Sequence, residues 1–284
     1  MISAYGCGWH IDRLAFDRML AQAAVEAGAE LRCGAALVHC ESTNDGGWLL
    51  RLNENGTGDP ILRGARVLID ATGRAAHLAR WVGAQRAVLD RLVGLATLFA
   101  DVDTSREGFV LVETSHEGWW YSAPIPPERM MVMLMTDSDV CGRAKLATRP
   151  RWHQLLANAQ QTVGRVGGVA LWGPRVFSAV SQRLRRSELR APWLAAGDAA
   201  LAVDPVSGSG VIRALRSARA SARTALAVLE GHADGAIKAY EDDVDLDCTK
   251  YLRERALYYG VEQRWRAFPF WQRRGAFFTG VAAA

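Results

Sequence analysis

The chain has 284 residues, half of them hydrophobic, enough for a sizeable core in one large domain or two small ones. A net charge of +4 is too mild on this length to point to nucleic acid. No run approaches the ~18 consecutive apolar residues of a membrane span, and Met1–Cys7 lacks the basic and apolar regions of a secretory signal. Five scattered cysteines, Cys7, Cys33, Cys40, Cys141 and Cys248, form no C-x-x-C pair and have no histidine at metal-ligand spacing. They predict reduced thiols, no metal site and a cytoplasmic protein.

Residues 12–28 read as an amphipathic helix. Asp12 stands at the N-cap, Leu14, Met19, Leu20, Ala23, Ala24 and Ala27 share an apolar face, and Gly28 supplies the stop. Strand-like runs follow over 30–40, 46–53 and 66–70, with Asn44-Asp-Gly-Gly47 as the turn between the first two. A short helix is predicted at 75–82. A β-rich stretch then covers 93–136, with strands at 93–101, 109–113, 119–123 and 130–135, and Pro124-Ile-Pro-Pro127 breaking the last hairpin. Met130–Met135 reads as a buried strand rather than a methionine-rich surface. Beyond lie a helix near 151–160, a strand pair at about 169–181, an apolar strand over 193–196 and a helix over 211–230. Val211, Ile212, Leu215, Ala218, Ala222, Leu226 and Leu229 form the predicted packing face of that helix, and the C-terminus is helical.

Two motifs carry chemistry. Trp193-Leu-Ala-Ala-Gly-Asp198 runs from a strand into a carboxylate, at the sheet edge where α/β folds place ligands. A buried carboxylate needs donors, which ligand hydroxyls supply. The loop Asp204-Pro-Val-Ser-Gly-Ser-Gly210 then enters a helix whose first amides favour negative charge, and Gly208 and Gly210 let the backbone approach a flat ring. The second motif, Asp70-Ala-Thr-Gly-Arg74, either passes under a cofactor or is a strand-to-helix turn closed by a Thr cap.

Together these motifs resemble the FAD-dependent monooxygenase superfamily, which contains aromatic hydroxylases, geranylgeranyl reductases and tryptophan halogenases. Trp9–Leu20 is similar to a helix of that superfamily, Asp70–Arg74 to its middle motif, and Gly197–Gly210 to its ribityl-binding motif. The resemblance implies an α/β FAD/NAD(P)-binding flavoprotein fold and FAD as cofactor. It places Gly197 and Asp198 on the ribityl chain and Pro205, Gly208, Ser209 and Gly210 along the isoalloxazine. Arg13 occupies a position that often contacts the ribityl–pyrophosphate region, or else forms a surface ion pair.

Within the superfamily the chain resembles the maturases of peptidyl quinone cofactors. The likeness runs through Asp90-Arg-Leu-Val-Gly94, Val112-Glu113, Gly118-Trp-Trp-Tyr-Ser-Ala-Pro124 and Met135-Thr-Asp-Ser-Asp139. The implied activity is hydroxylation of an aromatic group, in a small molecule or a peptidyl tryptophan. Halogenation, isoprenoid reduction and a truncated non-catalytic fragment are the alternatives. The halogenase pattern G-W-x-W-x-I-P is departed from at Tyr121 and Ala123.

Gly6-Cys-Gly8 and Gly208-Ser-Gly210 both lack the third glycine of G-x-G-x-x-G. The resemblance therefore implies a missing first βαβ unit, roughly 90–100 residues before Met1. The expected division is 1–92 as the remainder of the FAD-binding domain and 93–181 as a β-rich substrate portion. Residues 182–232 return to the FAD-binding domain, and 233–284 are helical.

Other residues leave two readings open. Glu113, His116 and Glu117 form an acid–base group or exposed turn charges. His10 faces a substrate pocket or is structural. Trp119 and Trp120 point to opposite sides of a strand, one into the core and the other toward an aromatic substrate. Arg183, Arg185, Arg186 and Arg190, with Arg253, Arg255, Arg264, Arg266, Arg273 and Arg274, are solvated faces, a surface for an acidic protein substrate, or partners of the acidic stretch Glu241–Asp247. No side chain is assigned as catalytic acid or base.

Overall fold

The computed structural model describes residues 10–54, 60–104, 108–185 and 191–281. Gly6–Gly8, Trp9, Arg186 and Arg190, singled out above, lie outside the described residues. The chain forms two compact units, residues 1–39 with 50–63, and 40–49 with 64–284.

The first unit holds helix α1 (Arg13–Glu26) and most of a three-stranded sheet in the order β1 (Ala35–Ser42), β2 (Trp48–Glu54), β3 (Ile61–Ala65). Asp12 caps α1 as expected, accepting from the amides of Leu14 at 2.9 Å and Ala15 at 3.1 Å. Gly28, with φ +96°, ends it in the left-handed conformation. The expected packing face is not a packing face. No residue of α1 is buried, and Leu14 is 62% exposed, because no described element of its own unit covers that side. Strand β3 went unrecognised because Ile-Leu-Arg-Gly-Ala combines a glycine with only one β-branched residue.

The second unit opens with β4 (Leu68–Asp70), two 3-10 turns in place of the predicted helix 75–82, and β5 (Gln85–Val88). An antiparallel sheet then forms from β6 (Leu92–Ala100), β7 (Leu111–Ser115), β8 (Gly118–Ile125) and β9 (Arg129–Asp137). After α2 (Ser138–Arg143), α3 (Arg149–Asn158) and α4 (Gln160–Gly164), the chain adds β10 (Val169–Ala170) and β11 (Arg175–Ser178). The sheet order is β10-β6-β9-β8-β7, with β11 also on β6. The remaining strands are β12 (Gln182–Arg185), β13 (Trp193–Ala195) and β14 (Leu201–Ala202); β13 pairs in parallel with β4, and β12 lies between β14 and β5. Helices α5 (Gly210–Leu229), α6 (Ala233–Gly260) and α7 (Pro269–Val281) complete the unit.

Alternation along the sheet builds a core on each face. Trp120, Leu95, Leu134 and Trp152 pack on one side, and Trp119, Leu92, Met135, Tyr259 and Phe270 on the other. Both tryptophans are core residues, so neither walls an open aromatic pocket. Met130 and Met135 are fully buried, as read from the run of methionines. Helix α5 is turned away from the predicted orientation. Ile212 and Leu226 are 56% and 60% exposed, while Ser221 is buried. The helix packs through Ala214 and Ser217, whose small side chains allow it close to the turn after β13.

No described helix is long and apolar enough to cross a membrane. The described cysteines Cys33, Cys40, Cys141 and Cys248 are free thiols.

Candidate cofactor site

Parallel pairing of β4 and β13 sets Asp70 beside Ala195. Both sequence motifs therefore leave the sheet at the same carboxyl edge. Ala196 N donates to Asp70 O at 2.8 Å, tying the two turns together. The buried Asp70 carboxylate organises its own turn, accepting from Thr72 N (2.9 Å), Thr72 Oγ1 (2.6 Å) and Leu78 N (3.0 Å). Thr72 Oγ1 accepts in turn from His77 N at 2.7 Å, at the start of the second 3-10 turn, but makes no cap bond to the first, so the expected Thr cap is replaced by the Asp70 carboxylate network.

Arg74 joins this turn to the Gly197-Asp198 motif. Its Nε stands 3.2 Å from Asp198 Oδ2, and its terminal nitrogens donate to the carbonyls of Val180 (2.6 Å) and Val203 (2.7 Å). Asp198 keeps about a third of its side chain exposed (35%). It is thus an oriented carboxylate within reach of a ligand. Gly197, with φ +59°, makes the left-handed step that aims it, and its amide donates to Ser217 Oγ at 2.9 Å.

The loop into α5 is rigid at one end and open at the other. Asp204 caps a 3-10 turn at Pro205–Ser207 through Val206 N at 2.9 Å, and Gly208 closes that turn at φ +61°. Ser209 precedes α5 with no side-chain cap, its hydroxyl lying 2.8 Å from Ser207 Oγ instead. A 20-residue helix therefore begins with uncapped amides at Gly210 and beyond. Nothing lies within 4 Å of where a Cβ would stand on Gly208 or Gly210. A carboxylate at a strand end, an open glycine loop and an uncapped helix start fit a cofactor with hydroxyls, a flat ring and growing negative charge. Arg13 is placed in the first unit, where it forms an exposed ion pair with Asp17 at 3.1 Å.

Sequence reasoning missed the support beneath this loop. Asp204 is fully buried and accepts from Tyr259 Oη at 2.6 Å; Asp204 N donates to Tyr251 Oη at 3.0 Å. Tyr240 Oη donates to Ala195 O at 2.7 Å beneath the motif strand. Burial raises the carboxyl of Asp204 above its ordinary range, against the lowering effect of Tyr259 and the Val206 amide. The same burial holds the Tyr259 phenol well above its usual value. The three tyrosines share one face of α6, and their spacing along the chain is the signal that could have found them.

The other candidates separate. Glu113 caps α4, accepting from Thr162 N and Thr162 Oγ1, each at 2.7 Å. Glu117 is buried rather than an exposed turn charge, and His116 Nε2 stands 2.7 Å from its carboxylate. His10 is exposed. Arg183, Arg255 and Arg274 are interior residues and present no surface to an acidic partner. Arg183 pairs with Glu241 at 2.6 Å and Asp245 at 2.9 Å, so the acidic stretch does neutralise part of the basic run.

The chain is 30% identical to the putative FAD-dependent oxidoreductase LodB of Marinomonas mediterranea, over 98% of this chain and 74% of that protein. It is 29% identical to a digeranylgeranylglycerophospholipid reductase of Methanosphaerula palustris, over 77% of this chain and 54% of that enzyme. Among solved structures, the myxobacterial chondrochloren halogenase CndH superposes with a TM-score of 0.84 at 20% identity, covering 98% of this chain and 68% of that one. The peptidyl tryptophan dihydroxylase QhpG superposes with a TM-score of 0.74 at 26% identity, covering 93% and 59%. The chain thus spans between about half and three quarters of the length of these relatives. Residues 11–253 match the family model described as an FAD binding domain, and the chain belongs to that family of FAD-dependent oxidoreductases.

Proposed function

We propose that this chain supplies the ribityl- and ring-binding part of a flavin-dependent oxygenase that hydroxylates an aromatic group, in a small molecule or a tryptophan of a peptide. The observation that carries the cofactor half is the meeting of Asp198, Arg74 and the α5 start around one strand pair. Support for the reaction comes from the likeness to QhpG, a peptidyl tryptophan dihydroxylase by name, while the likeness to LodB supports FAD-dependent redox chemistry alone.

FAD, when bound, takes up two electrons and delivers them to dioxygen. The chain's residues have simpler tasks. Asp198 accepts from ribityl hydroxyls, and Arg74 fixes its direction. The amides at the start of α5 offer partial positive charge to the ring's electron-rich edge. Asp204, held by Tyr259 and Tyr251, keeps the Pro205–Gly210 loop in place.

Halogenation is the second reading, favoured by the close superposition on CndH and by Gly118, Trp119 and Pro124 in the halogenase register. Tyr121 and Ala123 depart from that register and favour hydroxylation.

The test begins with the visible spectrum of the purified chain given FAD. Flavin bands near ~375 and ~450 nm, lost in D198A, are the expected outcome; a protein that takes up no flavin would refute the cofactor half. Loaded protein is then supplied with reductant, oxygen, bromide and a tryptophan-containing peptide. Products heavier by one oxygen support hydroxylation, and brominated products replace it with the second reading.

A further inference from the structure

Strands β6, β9, β8 and β7 carry a row of side chains that the fold leaves half open. The cross-strand register sets Ala96 against Met133, Met133 against Tyr121, and Tyr121 against Val112. Directly opposed residues share a face, and alternation puts this row on the side of Leu92, Trp119 and Met135. The neighbouring row on that side is closed. Met135 and Trp119 are buried, and the Phe177 ring lies so close over Gly94 that no side chain fits there. In the open row Ala96, Met133 and Tyr121 are half-buried and Val112 is exposed.

Two observations tie this row to the cofactor loop. Val206, inside the loop, packs against the same core cluster as Tyr121 and Met133. Trp119, two residues before Tyr121, donates to Tyr259 Oη, which itself donates to Asp204 at the start of the loop.

The row is apolar except for one group. Tyr121 Oη has no hydrogen-bond partner among the described residues, and burial alone raises its phenol above the ordinary value. Arg175 stands opposite Ala96 at the far end, but its guanidinium is drawn over the Trp172 ring, 4.9 Å from the centroid. The surface thus offers a thioether, a ring and one neutral hydroxyl. Thioethers and rings favour contact with an aromatic ring. A hydroxyl half withdrawn from water favours a ligand that completes its hydrogen bonding over an isostere that cannot.

We propose that this row is the floor of the substrate site. It takes a neutral two-ring aromatic bearing an N–H or O–H, with that donor on Tyr121 Oη and the rings over Met133 and Ala96. Tyr121 is then the residue that selects among aromatic substrates. That the ligand is a substrate rests on the flavin reading; that it binds here does not.

The test is calorimetric titration with indole and with benzofuran, which has the same shape and no N–H, on the chain with and without added FAD. Indole is expected to saturate and to bind about fivefold tighter than benzofuran. Y121F should bring indole down to the affinity of benzofuran and leave benzofuran unmoved. A96L fills the floor while keeping a strand-compatible apolar residue, and should weaken both probes at least about tenfold. Absence of saturable indole binding in both preparations, equal affinity for the two probes, a preference that survives Y121F, or an unchanged A96L would each overturn the proposal. If Y121F does not fold, the ranking on the unaltered chain and A96L decide. The flavin bands are read separately: a chain that holds FAD but no indole refutes this proposal alone, and one that binds indole but no FAD refutes the flavin reading alone.

Discussion

Tyr259 donates a 2.6 Å hydrogen bond to Asp204, and the same phenolic oxygen accepts from the indole of Trp119 at 2.9 Å. One oxygen thus ties α6 to the Asp204–Gly210 loop and to strand β8, among three buried side chains. Phenylalanine at 259 would leave the Trp119 N–H and an Asp204 oxygen unpaired at once. Y259F is therefore expected to lower stability by ~1–3 kcal/mol, the cost of stranding buried polar groups. Urea denaturation measures it, and an unchanged midpoint would mean that both groups find new partners.

Asp204 and Glu262 should give opposite pH signatures. Burial raises the Asp204 carboxyl, so the folded state binds more protons than an unfolded chain with a carboxyl near ~3.9. Its contribution to stability falls as pH climbs from there to the raised folded value. Arg264, then Thr114, hold Glu262 down at about 2. Its contribution is complete above the unfolded value of ~4.3 and is lost as pH falls through the folded one. Comparing urea midpoints of D204N and E262Q with the parent across acid pH should show the parent's advantage shrinking with rising pH for the first and growing for the second. Slopes of the same sign would refute the assignment.

The two loop glycines are predicted to behave differently. Gly208 sits at φ +61° with open space around it, so G208A meets a backbone penalty alone, ~1–2 kcal/mol. Gly210 opens α5 without a left-handed conformation, and G210A should be neutral or stabilising by no more than ~1 kcal/mol. If a flavin ring lies over that position, G210A lowers flavin occupancy while leaving stability intact. Equal losses of stability in both variants would show that Gly210 is structural.

These contrasts mark what could be read along the chain. Asp12 and Gly28 act within a few residues of themselves, and their roles followed from local pattern. Arg74 stood inside a recognised motif, but the carbonyls it holds, on Val180 and Val203, come from more than a hundred residues further on. The packing side of α5 escaped detection because small polar residues, Ser217 and Ser221, face inward while Ile212 and Leu226 face outward. Hydrophobic periodicity assigns the larger residues to the core, and close approach to a turn reverses that choice.

Arg183 shows the same limit and yields the last prediction. In sequence it belongs to a basic run; in the fold its side chain is 3% exposed, facing Glu241 and Asp245, whose side chains are 22% and 54% exposed. The pair is therefore asymmetric. Removing both carboxylates leaves a buried guanidinium uncompensated, which costs ~3–5 kcal/mol. Removing the arginine leaves two carboxylates that water can reach, at a smaller cost. The double variant E241Q/D245N should unfold at lower urea than R183M, and adding R183M to it should restore much of the loss. If R183M proves the more damaging, its donation to the carbonyls of Leu184 and Ala200, rather than its charge, is what the fold needs from it.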